Sequence, residues 1–278
     1  MTIKELYTEG LKRLREAGIS EETDARILID YLCHVSMNDI LVHGERQIND
    51  ALSRVFLEYI DMRCTHIPLQ HLTGEQEFMG LNFRVSPDVL VPRQDTEILV
   101  EEVMRDMFDG SRILDMCTGS GCILISLLHY SNDCEGVGVD ISEKALLVAK
   151  ENADRIGVKA DFVQSDLFEN VSGKFDIIVS NPPYIRTADL GNLMDEVRLH
   201  EPVAALDGGE DGLFFYRKII SAAHEYLRKE GRLYFEIGCD ESKEVMELMK
   251  ESGFADVRMV RDYASLPRVI TGRVENNV

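Results

Sequence analysis

Ile113-Leu114-Asp115-Met116-Cys117-Thr118-Gly119-Ser120-Gly121-Cys122 reads as a strand, a glycine-containing turn and the start of an apolar helix. Such a turn lets a ligand approach the backbone closely and lie against a helix N-terminus. Working outward, short apolar runs bounded by turn residues predict strands over 112–116, 136–139, 160–164, 175–180 and 232–237. Between the second and third lies a helix over 143–156, with Ala145, Leu146, Val148 and Ala149 on its apolar side. Strands alternating with helices give a parallel sheet covered on both faces. Segments 256–260 and 268–271 are close enough in sequence to finish that sheet as an antiparallel pair. The expected fold class is α/β: a Rossmann-like domain over 94–278 with a mostly parallel, seven-stranded sheet.

Ahead of it the pattern changes. Leu6, Leu11 and Leu14 fall near helical spacing, as do Ala25, Ile27, Leu28 and Leu32. Ser20, followed by Glu21, Glu22 and Thr23, reads as a helix start with acidic residues in its first turn. Ile48-Asn49-Asp50 caps a further helix through Leu52, Val55, Phe56, Tyr59 and Ile60. Residues 1–67 are therefore expected to form a small helical bundle. Over 68–93, the alternating and aromatic stretch Glu77-Phe78-Met79-Gly80-Leu81-Asn82-Phe83-Arg84-Val85 predicts a β-hairpin linker that turns at Gly80.

Charge and composition narrow the function classes. A net charge of −20 argues against nucleic acid as the main ligand, because a protein that grips phosphates carries a basic face. The six cysteines are scattered without a Cys-x-x-Cys pair, so they read as reduced thiols and no metal site is expected. No apolar run approaches bilayer length, and Met1-Thr2-Ile3-Lys4-Glu5-Leu6 is charged and helix-like rather than a leader. The expected location is cytoplasmic.

Three acids fall at the carboxyl ends of successive expected strands: Asp115, Asp140 and Asp166. That edge is where open α/β sheets bind ligands, and an acid about 20 residues beyond the glycine turn suits ribose hydroxyls. NAD and S-adenosylmethionine both fit this frame. The third glycine of a pyrophosphate turn is missing, and Asp115 suits a cofactor bearing an ammonium and a sulfonium. Asp166, followed by Leu167-Phe168, can accept from an adenine amino group while the apolar pair packs its ring. Capping the turn or a helix is the structural alternative for Asp115 and Asp166.

The expected fourth strand ends in Asn181-Pro182-Pro183-Tyr184. Two prolines fix φ twice and remove two donors, which leaves carbonyls and the Asn181 side chain to face a ligand beside an aromatic wall. Alone this is also a proline turn closing a strand.

Together these residues resemble the class I S-adenosylmethionine-dependent methyltransferases. Asn-Pro-Pro-Tyr is similar to the signature of two groups: adenine- or cytosine-N methyltransferases of DNA, and the glutamine methyltransferases of class-1 peptide chain release factors. The second group resembles far more of the chain. Pro68-Leu69-Gln70-His71-Leu72-Thr73-Gly74, Phe78 to Phe83, Val89-Leu90-Val91-Pro92-Arg93, Val139-Asp140-Ile141-Ser142, Glu201-Pro202, Asp207-Gly208-Gly209-Glu210-Asp211-Gly212-Leu213 and Phe235-Glu236-Ile237-Gly238 all carry it. Two departures stand out. Cys117 replaces the family's first turn glycine, and Gln94-Asp95-Thr96-Glu97 stands where the family usually has Pro-Glu-Thr-Glu.

The resemblance implies methyl transfer from S-adenosylmethionine, leaving S-adenosylhomocysteine, to the glutamine amide nitrogen of a Gly-Gly-Gln motif in a release factor. The partner would be held by the N-terminal helices and the hairpin. Read this way, Asp115, Cys117, Thr118, Gly119, Ser120, Gly121, Asp140, Ile141, Asp166, Leu167 and Asn181 bind the cofactor. Asn181, Pro182, Pro183 and Tyr184 carry substrate binding and catalysis. The Asn181 side-chain oxygen and the Pro182 carbonyl accept from the amide, Tyr184 packs on its plane and Pro183 stiffens the loop. The alternatives are a DNA adenine-N6 methyltransferase, which would need a basic channel, and a non-catalytic S-adenosylmethionine-binding protein.

Overall fold

In a computed structural model, which describes residues 1–19 and 21–275, the chain opens with α1 (Ile3–Glu16), α2 (Glu21–Cys33), α3 (Met37–Val42), α4 (Asp50–Arg63) and α5 (Leu69–Thr73). The hairpin β1 (Glu75–Phe78) and β2 (Leu81–Arg84) follows, then α6 (Glu97–Asp106), β3 (Arg112–Met116), α7 (Cys122–His129), β4 (Glu135–Asp140), α8 (Glu143–Ile156), β5 (Asp161–Gln164) and β6 (Phe175–Ser180). The chain ends with α9 (Asp195–His200), α10 (Phe214–Tyr226), β7 (Leu227–Glu236), α11 (Ser242–Glu251), β8 (Phe254–Arg261) and β9 (Pro267–Val274). The helix start expected at Ser20 lies outside the described residues. Among the described residues no helix is long and apolar enough to cross a membrane.

The chain packs as two units, residues 1–74 with 194–200, and residues 75–193 with 201–278. In the helical unit, α1 begins with a reciprocal cap. The Thr2 hydroxyl accepts from the Glu5 backbone N–H, and the Glu5 carboxylate accepts from the Thr2 N–H. Asn49 caps α4 through the Ala51 N–H at 2.7 Å. Leu6, Leu14, Leu28, Ile29, Phe56 and Ile60 are fully buried, each contributing about 1.5–3 kcal/mol relative to an exposed side chain. Leu52, expected on the apolar stripe of α4, is exposed instead. Helix α9 joins this unit through Arg63, which is buried. Its guanidinium donates to Asp24 at 2.7 Å, to the Ile67 carbonyl at 3.1 Å and to Glu196 on α9. Three acceptors for one buried cation meet the condition for keeping a charge out of water.

The second unit is built on one seven-stranded sheet of order β5-β4-β3-β6-β7-β9-β8. Strands β3 to β7 run parallel, and β9 lies antiparallel between β7 and β8. The period of two sorts the side chains. Leu114, Met116 and Ile178 join one apolar cluster with α10 and α11, while Ile113, Ile177 and Val179 join another with α6 and α7. The hairpin belongs to this second cluster through Phe78 and Phe83, whose rings meet edge-on at 6.0 Å. Its two-residue turn uses Met79 and Gly80, both at positive φ, as a right-twisted hairpin requires. Buried Asn152 on α8 ties it down: the side chain pairs both ways with the Arg84 backbone and donates to the Ser120 carbonyl at 2.9 Å. From β3 the chain winds to β4 and β5 on one side and to β6 and β7 on the other. The switch point therefore lies between the carboxyl ends of β3 and β6, the place where such sheets open a crevice.

Candidate active site

A cavity of about 550 Å3 occupies that crevice. Its walls come from the turn after β3, the ends of β4 and β5, Asn181 after β6, and residues 88–96 and 202–207. Of the residues singled out in the sequence, Cys117, Thr118, Gly119, Ser120, Asp140, Ile141, Asp166, Leu167, Asn181 and Pro183 line it.

Asp140 anchors the cavity's first wall. One carboxylate oxygen accepts the Gly119 backbone N–H at 2.9 Å and the other accepts the Ser142 N–H at 2.9 Å. Burial pushes its carboxyl above the ordinary value, and the backbone amides oppose the rise. Cys117 sits at φ +62°, a left-handed conformation that costs a side chain about 1–2 kcal/mol. A glycine at this place in the family resemblance has a physical reason. Cys117 is partly open to the cavity, yet burial pushes its thiol well up.

Asp115 does not line the cavity. The alternation of β3 turns it to the side of Ile113, beneath the turn and fully buried. One carboxylate oxygen accepts the Thr118 hydroxyl at 2.6 Å, and the other has no hydrogen-bond partner among the described residues. Burial pushes this carboxyl up to about 7, with the Asp140 charge adding to the rise and the Thr118 hydrogen bond opposing it. Gly121 is also withdrawn. A Cβ there would come within 2.8 Å of the Ile125 side chain and 3.1 Å of Ala149, so the glycine lets α7 and α8 approach.

The proline turn divides between two places. Asn181 and Pro183 face the first cavity, Pro182 is buried, and Tyr184 lines a smaller cavity of about 310 Å3 with Arg186, Gly238, Glu241 and Arg268. Burial pushes the Tyr184 hydroxyl well up. The glycine-rich stretch presses on this turn. A Cβ on Gly208 would lie 2.6 Å from Tyr184 Cα, and one on Gly212 would lie 2.5 Å from the Tyr184 carbonyl oxygen. The two segments exchange backbone bonds, Ile185 N–H to the Leu206 carbonyl at 3.0 Å and Gly208 N–H to the Ile185 carbonyl at 2.8 Å.

Sequence reasoning gave no role to three groups around Asn181. The Asn181 side-chain N–H donates to the Thr96 hydroxyl at 3.4 Å. Glu236, at the end of β7, is buried beside them, and its carboxyl feels the side-chain donors of Thr96 and Asn181. Arg93 lines the cavity and donates to Glu201 at 2.6 Å, which ties the 88–93 wall to the 201–205 wall. Glu236 and Arg93 stood within the stretches that carry the family resemblance, but neither residue type nor spacing pointed to these partners.

Residues 93–206 match the family described as methyltransferase small domain, and residues 5–74 match the PrmC N-terminal domain. The release factor glutamine methyltransferase of Clostridium acetobutylicum is 39% identical over 278 residues, covering 97% of this chain and 98% of that protein. That of Geobacter sulfurreducens is 39% identical over 273 residues, covering 96% and 94%. Among solved structures, a methyltransferase from Pyrococcus furiosus superposes with a TM-score of 0.54 at 17% identity, over 72% of this chain and 91% of that one, and shares the fold. At that identity and coverage along nearly the whole length, this chain belongs to the release factor glutamine methyltransferase family.

Proposed function

We propose that this chain transfers the methyl group of S-adenosylmethionine to the side-chain amide nitrogen of the Gly-Gly-Gln glutamine in class-1 peptide chain release factors, a modification that serves translation termination in the cytoplasm. The observation that carries the reading is the position of Asn181. It lies at the edge of the switch-point cavity, in a donor-poor turn, with its own N–H already engaged by the Thr96 hydroxyl.

The cavity fits the cofactor. Asp140 at the end of β4 suits ribose hydroxyls and Asp166 suits an adenine amino group, while Asp115, fully buried beneath the turn, stands outside the cavity. When bound, S-adenosylmethionine supplies a methyl group already activated by a positive sulfur. The protein has to hold a weak nucleophile, an amide nitrogen whose lone pair is delocalised, in line and close. The Asn181 oxygen and the Pro182 carbonyl accept its two N–H groups and favour the positive charge that builds on nitrogen. Pro183 keeps the turn rigid, and Tyr184 supports the loop from behind. The amide proton is acidic once nitrogen is alkylated, so no strong base is required. The helical unit supplies further surface for the protein substrate.

The test is incubation with labelled S-adenosylmethionine and either a release factor or DNA. Label is expected on the glutamine of the release factor, and Asn181→Ala is expected to abolish it while folding normally. Label on DNA adenine, or wild-type turnover by Asn181→Ala, would overturn the reading.

A further inference from the structure

We infer that Glu236 and Thr96 are positioning residues that lock the Asn181 amide with its oxygen toward the reacting nitrogen. The inference rests on the reading of the switch-point cavity as the amide-methylating site and deepens it.

An asparagine side chain has two ends of nearly equal size, one donor and one acceptor. Turned the wrong way, Asn181 would aim an N–H at the N–H groups of the substrate. Whatever lies behind Asn181 therefore decides whether the turn accepts or repels. Two groups lie there. The Thr96 hydroxyl takes the Asn181 N–H at 3.4 Å and itself donates to Glu236. The Glu236 carboxylate lies close enough for the Asn181 N–H to lower its pKa as well. An ionised carboxylate is acceptor-only, so it admits one orientation of the amide. Hydrogen bonds arranged in series also polarise one another, which makes the Asn181 oxygen a better acceptor as positive charge builds on the substrate.

Glu236 lines neither cavity and is 2% exposed, so it reaches the substrate only through Asn181. A carboxyl group there is expensive, because burial penalises its charge and Oε2 has no hydrogen-bond partner among the described residues. Its cationic neighbour, Arg268, is shared with Asp262 at 3.1 Å and Asp95 at 3.0 Å. Tyr184 and the Cys122 thiol also feel the Glu236 charge. An apolar side chain would fill the place at lower cost, and the orientation of Asn181 accounts for the carboxylate. Burial pushes Glu236 up to about 7, with the Thr96 hydrogen bond, Arg268 and Asn181 opposing the rise and Asp95 adding to it. The orienting charge is therefore lost as pH falls through neutrality.

The experiment compares wild type, Glu236→Gln, Thr96→Val and Thr96→Ser on a class-1 release factor at saturating S-adenosylmethionine, so that changes in cofactor affinity do not enter kcat. Wild-type kcat is expected to fall as pH is lowered through about 7. Glu236→Gln and Thr96→Val should each lower kcat roughly 10- to 100-fold, the scale of a misplaced reacting group, while the Kd for S-adenosylmethionine stays unchanged. Glu236→Gln should also lose the slope in pH, and Thr96→Ser should recover kcat. By NMR, the side-chain NH2 resonance of Asn181 should titrate near pH 7 in wild type and stay flat in Glu236→Gln. Wild-type kcat and pH slope in Glu236→Gln, or wild-type kcat in Thr96→Val, would sink the inference. The two threonine variants, one isosteric without the hydroxyl and one smaller but keeping it, decide the matter if Glu236→Gln does not fold. Absence of methyl transfer by the wild type to the release factor would instead strike the parent reading, and the Asn181 titration would still test the positioning network.

Discussion

The Asp140 carboxylate at the end of β4 accepts the backbone N–H of Gly119 at 2.9 Å, in the turn that ends β3. The acid read from the sequence as a ribose partner thus also holds the glycine turn in shape. Both of its oxygens already accept one backbone N–H, and each keeps a further lone pair for a ligand.

Asp140→Ala should therefore weaken S-adenosylmethionine twice, by removing acceptors and by releasing the turn. Hydrogen bonds to a charged group are worth about 1.5–3 kcal/mol, so calorimetry should show Kd rising roughly 10- to 100-fold. Unchanged affinity would mean that the carboxylate only braces the backbone.

Three buried carboxyls, Asp115, Glu236 and Glu241, are each pushed up to about 7, chiefly by burial. Their ordinary values are 3.8 for Asp and 4.5 for Glu. The folded state then binds protons more tightly than the unfolded chain, so these groups stabilise the fold at low pH and that contribution is lost as pH rises toward about 7. Asp207, Asp211 and Asp262 are held below 3.8 by hydrogen bonds, in Asp211 first of all to Arg217. Their contribution is present above the ordinary value and disappears only in stronger acid. Thermal melts without cofactor should show Tm falling from about pH 5 to pH 8, with a shallower slope in Glu236→Gln. A Tm that climbs over that range would contradict the burial of these groups.

Gly208→Ala should damage the site by crowding. Its Cβ has backbone atoms of Tyr184 at 2.6 and 2.7 Å and the Gly212 carbonyl oxygen at 2.9 Å. Overpacking of this kind costs about 1–3 kcal/mol, and the displaced Tyr184 should carry Asn181 with it, so kcat falls along with Tm. Gly191→Ala, where the added methyl meets nothing within 4 Å, is the matched control and should be neutral in both measurements.

Cys117→Gly should raise Tm. Relief of the φ +62° conformation outweighs the small loss of thiol packing, for a net gain on the order of 1 kcal/mol. In wild type, iodoacetamide should modify exposed Cys239 and spare Cys117 and Cys122, whose thiols burial pushes up, Cys122 to about 12. Rapid labelling of Cys117 would show that the turn opens.

Much of the second unit was legible in the sequence because its strands are short apolar runs with turn residues at both ends. The strand expected over 112–116 is β3, the hairpin turns at Gly80, and 256–260 and 268–271 fall within antiparallel β8 and β9. The family resemblance read from the same residues holds along nearly the whole chain. Strand β7 begins five residues earlier than expected, at Leu227 instead of 232. Its first part, Leu227 to Glu230, is charged and mostly exposed, and it pairs with β6 only across an irregularity near Phe175. Helices α6, α10 and α11 went unread although their buried residues recur at helical spacing, as Val245 and Met249 do in α11 and Tyr216, Ile219, Ile220 and Ala223 in α10. At the site, residue type located the acids but not their orientation. The alternation of β3 already placed Asp115 on the side of Ile113, beneath the turn, and that signal was available. The chain from Asn181 through Thr96 to Glu236 joins residues far apart in sequence, and only the folded sheet brings them together.

The discontinuous helical unit bears on how such a protein can be rebuilt. Arg63 needs Glu196 as well as Asp24 and Ile67, and Glu196 is encoded more than a hundred residues downstream, in the midst of the catalytic half (|i−j| = 133). A recombination event that exchanged the first 74 residues alone would leave the guanidinium short of an acceptor wherever the resident chain carries no acid at the place of Glu196. The amino-terminal helical unit is therefore not a cassette with a single seam. Chimaeras between relatives should carry residues 194–200 together with 1–74, and shuffling that ignores this pairing should yield poorly folded hybrids.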